Sequence, residues 1–77
     1  MKTIPIDADV KCVESNMSRD GNRYRVVHAV DEAGGYGRLF LWNRNVELET
    51  DKKYRLMVKV VEKASGVYHH VIGAQEI

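Results

Sequence analysis

The run Tyr36-Gly37-Arg38-Leu39-Phe40-Leu41-Trp42 holds the residue types in this chain best suited to recognition chemistry. Side chains alternate faces along a strand, so Leu39 and Leu41 point one way while Tyr36, Arg38, Phe40 and Trp42 point the other. The aliphatic pair suits a core. In a small domain with one interior, the aromatic row then lies outside, which is an unusual surface for a soluble monomer. Aromatic faces stack on bases with on the order of 1–3 kcal/mol per base and little regard for sequence, and a guanidinium stacks or binds phosphate. The alternative is that Phe40 and Trp42 pack into a dimer interface or under a loop, making the row a protein-interaction surface.

Further groups of the same kind surround this run. Arg19 and Arg23 border the turn pair Asp20-Gly21 and can follow a phosphate backbone. Tyr24 opens the next β-rich run, and its parity has two solutions. With Val27 and Ala29 in the core, Tyr24, Val26 and His28 face out; the opposite choice exposes Arg23 and Arg25 and buries Tyr24. Both leave groups suited to nucleic acid outside. Tyr68 follows the Ser65-Gly66 turn, either flanking the same groove or packing across strands. Lys59 and Lys63 are outward by parity.

Catalytic groupings are thin, and the chain reads as a binder rather than an enzyme. His69 and His70 are sequential, so on a strand they diverge, and with His28 and Cys12 they match no metal-ligand spacing. Ser15 and Ser18 lack an elbow and a base. Gly34-Gly35-Tyr36-Gly37 lacks the Gly-Lys-Ser/Thr ending of a phosphate loop. Neither a metal, a cofactor nor a small-molecule substrate is expected.

The elements that must position these groups are strands. Val10–Glu14 reads as the first, with Ile4 and Ile6 leading into it; Ser15–Asn22 is a loop. Tyr24–Val30, Tyr36–Trp42, Lys53–Glu62 and Val67–Ile77 are the others, separated by turns at Glu32–Gly35 and Ala64–Gly66. Arg44–Asp51 is polar and too short for a packed helix. Tyr54, Leu56, Val58 and Val60 share one parity. The 77 residues form one domain, 1–77, with a single cysteine and hence no internal disulfide. Five strands with free edges gain by closing, which predicts an all-β, five-stranded Greek-key barrel of OB type, with an SH3-like barrel as rival.

The net charge is +1, but it is unevenly spread. Lys11–Arg25 and Lys52–Lys63 are basic, while acids gather at Asp31-Glu32 and at Glu47, Glu49 and Asp51. A fold joining the basic segments would carry one positive face with acidic poles elsewhere. No apolar run of membrane-spanning length occurs, so a soluble cytoplasmic protein is expected.

The glycine-aromatic run is similar to the sheet motif of RNA-recognition motifs, but that family needs two helices, which this sequence does not offer. Ser18-Arg19-Asp20-Gly21-Asn22-Arg23-Tyr24 resembles the Ser-Arg-x-Gly-x-x-Tyr loop-to-strand segment of the filamentous-phage single-stranded DNA-binding proteins, the gene V type. The spacing onward to Tyr36, Tyr54 and Tyr68 is also similar. The resemblance implies an OB-fold homodimer that coats single-stranded DNA during phage replication, in the host cytoplasm. It implies DNA contacts for Arg19, Tyr24 and Tyr36. Arg23 stands where that family often has proline, and Trp42 has no counterpart in it, as in a distant phage or prophage relative. DNA is favoured over RNA as the partner.

Overall fold

Apolar residues recur at every second position through most of the chain, and the computed structural model, which describes residues 2–77, is built on that period. The strands are β1 (Lys2–Met17), β2 (Arg23–Asp31), β3 (Tyr36–Leu41), β4 (Lys52–Lys63) and β5 (Gly66–Glu76), with no helix among the described residues. They close in the order β1-β2-β3-β5-β4, giving the five-stranded all-β barrel of OB type that the sequence predicts. Among the described residues no helix is long and apolar enough to cross a membrane.

β1 is longer than its apolar pattern suggests because it serves two partners. Lys2–Val10 pairs antiparallel with β4, and Ala8–Met17 pairs antiparallel with β2. The register slips between Val10 and Cys12, leaving Lys11 as an extra residue that bends the strand around the barrel. The expected loop from Ser15 is therefore shorter. Ser15, Asn16 and Met17 stay in the ladder opposite Arg25, Tyr24 and Arg23. The turn closes through Ser18 N–H to the Asn22 carbonyl (2.8 Å) and Gly21 N–H to the Ser18 carbonyl (3.0 Å). Gly21 sits at φ +83°, where a side chain is strained.

β2 and β3 pair with Val27 opposite Leu39 and Ala29 opposite Gly37. This settles the parity of β2: Val27 and Ala29 join Leu39, Leu41, Val10, Tyr54, Leu56, Val58 and Val71 in the core. β3 and β5 run parallel and meet at the pair Phe40 and His70, which closes the barrel.

The segment Arg44–Asp51, read from sequence as polar, covers one end of the core with Val46 and Leu48. Three tethers hold it. The Arg25 guanidinium donates to the carbonyls of Asn43 (3.0 Å) and Val46 (2.7 Å). The buried Tyr54 hydroxyl accepts from Glu49 N–H (2.9 Å). Asp51, at φ 64°, donates its N–H to the Val10 carbonyl at 2.7 Å. An inward-parity arginine thus becomes the clasp of the barrel end.

Removing that clasp by Arg25→Ala should cost about 2 kcal/mol of unfolding free energy in urea, from losing bonds made by a charged donor. Leu56→Ala, at a fully buried site, should cost about 2–5 kcal/mol.

Candidate functional site

With Leu39 and Leu41 inside, at 7% and 1% exposure, the other parity of β3 emerges on the outer wall. Phe40 is the hub. Its ring centroid lies 6.0 Å from Tyr24, 6.0 Å from Tyr68 and 5.8 Å from His70. Tyr24 in turn stacks on Trp42 at 4.6 Å with planes 24° apart. The band therefore crosses β2, β3 and β5, and Trp42, the residue following β3, ends it on one side. These rings shield Val26, which is 4% exposed yet lies opposite Phe40 on the outer wall, apart from the core cluster.

The β1–β2 and β4–β5 hairpins rise on either side. Between them runs a groove of about 320 Å³, floored by Tyr24, Phe40, Trp42, Tyr68 and His70 and bordered by Ser18, Lys63 and Ser65. Lys63 Nζ lies 5.7 Å from the centroid of the Tyr68 ring, and the Tyr68 hydroxyl bonds the Ser65 hydroxyl at 2.8 Å. Tyr68 so faces the groove while packing on Phe40, combining both roles considered for it. A second groove of about 320 Å³ shares Trp42, Lys63 and His70 and continues past Lys59 and Ile72. Behind Tyr24 and Trp42, Arg23 and Arg44 line a smaller recess of about 200 Å³.

Tyr36 stands apart from the band. At 64% exposure it stacks on His28, with centroids 5.8 Å apart. The turn that delivers it is built by Asp31, whose Oδ1 accepts from Ala33 N–H (3.0 Å) and Gly35 N–H (2.7 Å). A Cβ on Gly35 would fall 2.8 Å from the Asp31 carboxylate, which would have to shift to admit one. Arg19 on the β1–β2 loop and Arg38 on β3 are both exposed.

The two basic segments do not merge whole into one face. Lys52 pairs with Glu49 (2.5 Å), Lys53 with Glu32 (2.9 Å) and Arg55 with Asp7 (2.8 Å). Among the described residues, Arg19, Arg23, Arg38, Arg44, Lys59 and Lys63 form no such ion pair. Of these, Arg23, Arg44, Lys59 and Lys63 line the recesses beside the aromatic wall. A larger concavity of about 630 Å³ lies at the paired pole, lined by Asp7, Asp31, Glu32 and Arg55. Its polar groups are already committed: Asp7 to Arg55, Glu32 to Lys53 and Asp31 to the turn amides. The hydrogen bond from Arg55 holds the Asp7 carboxyl below its usual value.

Of the residues singled out from sequence, Tyr24, Phe40, Trp42 and Tyr68 form one continuous surface, Arg23 lies behind it, and Tyr36 forms a separate pad. Two contributors were not assigned: His70, brought to Phe40 by a non-local parallel pairing, and Glu14, which bonds His28. No protein-family model, curated protein or solved structure matches this chain.

Burial, and then the charges of Lys63, Lys59 and His69, push the His70 imidazole below its ordinary value of 6.5. Folding thus favours the neutral ring, and its contribution to stability is complete above about pH 6.5 and lost as pH falls through the folded-state value. Unfolding free energy should therefore fall more steeply toward pH 5 in the wild type than in His70→Gln, measured by urea titration at each pH.

Proposed function

We propose that this protein binds single-stranded nucleic acid without sequence preference, and that its role is binding rather than catalysis. The observation that carries this reading is the unbroken aromatic wall of Trp42, Tyr24, Phe40 and Tyr68, edged by cations that have no acid to satisfy them. Rings of this kind offer faces to unstacked bases, which a duplex keeps hidden, and every base has such a face. The free arginines and lysines attract phosphates and release counterions. Arg19 and Arg23 on the β1–β2 hairpin and Lys59 and Lys63 on the β4–β5 hairpin can reach a backbone whose bases lie between them.

DNA is the favoured partner, with RNA second, because Ser18–Tyr24 resembles the loop-to-strand segment of the phage single-stranded DNA-binding proteins. The same resemblance supports a role in phage or prophage DNA replication in the host cytoplasm. A homodimer fits a domain whose own core is small.

Titration with oligo-dT should change the fluorescence of Trp42, the single tryptophan. Log affinity should fall with log salt at about −0.7 per phosphate contact, and Arg19→Ala should reduce the slope by about that amount. Phe40→Ala or Trp42→Ala should weaken binding by about 1–3 kcal/mol, and matched duplex should bind more weakly than the single strand. A folded sample that ignores oligo-dT at low salt, yet holds a protein partner insensitively to salt, would make the wall a protein interface instead.

A further inference from the structure

Glu14 is out of place beside a wall that attracts phosphate. It lies on β1 next to the platform, where a negative charge opposes the ligand, and it is well exposed. The structure gives it a task. Glu14 Oε1 meets His28 Nε2 at 2.8 Å, and His28 Nδ1 meets the Tyr36 hydroxyl. The chain of contacts runs diagonally over three strands, since Glu14 is opposite Val26 on β2 and Tyr36 is opposite Val30.

The chemistry of the groups orders the protons. An ionised carboxylate only accepts, so the imidazole must present N–H at Nε2. In the neutral ring Nδ1 is then the acceptor, and the Tyr36 O–H donates to it. His28 is largely covered, at 16% side-chain exposure, while Glu14 is 53% exposed. The middle ring is therefore sheltered, and its tautomer is set from the outer edge. Tyr36, 64% exposed, has one face against His28 and its hydroxyl tied down. Without the tie, so open a ring would sample several rotamers and lose that freedom on binding a base.

We infer that Glu14 and His28 are positioning residues that hold Tyr36 as a preset stacking surface for a base. The inference rests on the nucleic-acid reading above. It also gives Glu14 two opposing effects, a favourable tether and an unfavourable charge, which substitutions separate. Gln keeps an acceptor oxygen and removes the charge; Ala removes both.

The test measures oligo-dT affinity at low salt for the wild type, Glu14→Ala, Glu14→Gln, Tyr36→Phe and Tyr36→Ala, each checked for folding by circular dichroism. Glu14→Ala and Tyr36→Phe should each bind about threefold to tenfold more weakly. Glu14→Gln should restore wild-type affinity or exceed it, and Glu14→Ala should add nothing in a Tyr36→Ala background. Equal or tighter binding by Glu14→Ala overturns the inference, because Glu14 then acts only as a charge. So does wild-type affinity in Tyr36→Ala. A second measurement needs no ligand: side-chain couplings of Tyr36 by NMR should report one rotamer in the wild type and Glu14→Gln, and averaging in Glu14→Ala. If the wild type does not bind oligo-dT, the functional reading fails. Rotamer averaging in the wild type would instead remove the tether alone.

Discussion

The inward packing of Leu39 and Leu41 is the constraint on which this molecule depends. A strand has two faces and this barrel has one interior, so burying these leucines forces Tyr36, Arg38, Phe40 and Trp42 onto the outer wall. The neighbours then follow. Val27 opposite Leu39 and Ala29 opposite Gly37 complete the core, which turns Tyr24, Val26 and His28 outward beside β3. The core and the candidate site are thus two sides of a single packing decision. A register slip of one residue would exchange them and lose both.

Charge is arranged by the same folding event. The segment from Lys52 to Lys63 is uniform in sequence, but β4 crosses from one pole of the barrel to the other. At its start Lys52, Lys53 and Arg55 meet Glu49, Glu32 and Asp7. Towards its end Lys59 and Lys63 meet the aromatic grooves. Exposed ion pairs contribute little to stability. Their larger effect here is to cancel cations at one pole and leave positive potential concentrated at the other.

Much of this was legible in the chain. The alternation through Tyr36–Trp42 and Tyr54–Val60 is local, so strand type, facing and closure into a small barrel followed from period and strand count. What stayed hidden was non-local. The slip at Lys11 moves the inward parity from Ala8 and Val10 to Val13, but the adjacent apolar pair Cys12-Val13 reads as alternation in either phase, so the double service of β1 was invisible. The meeting of His70 with Phe40 depends on a parallel pairing between residues thirty positions apart. Val46 and Leu48 lie in a polar stretch whose packing arises only once Arg25 draws it over the barrel end. His28 matched no metal-binding spacing, and its partners came into view only when β1 and β3 flanked it.

The meeting of β3 with β5 has a mechanical consequence. Long antiparallel ladders zip the other joints, whereas this one is fastened at a single register pair, Phe40 with His70. Local opening starts where backbone pairing is sparsest, so the barrel has a built-in parting line, and the aromatic wall is laid across it. A chain of bases seated on Tyr24, Phe40 and Tyr68 would act as a suture, resting on β2, β3 and β5 together. Ligand and protein would then stiffen one another, the bound strand completing a wall that the polypeptide alone leaves lightly stitched.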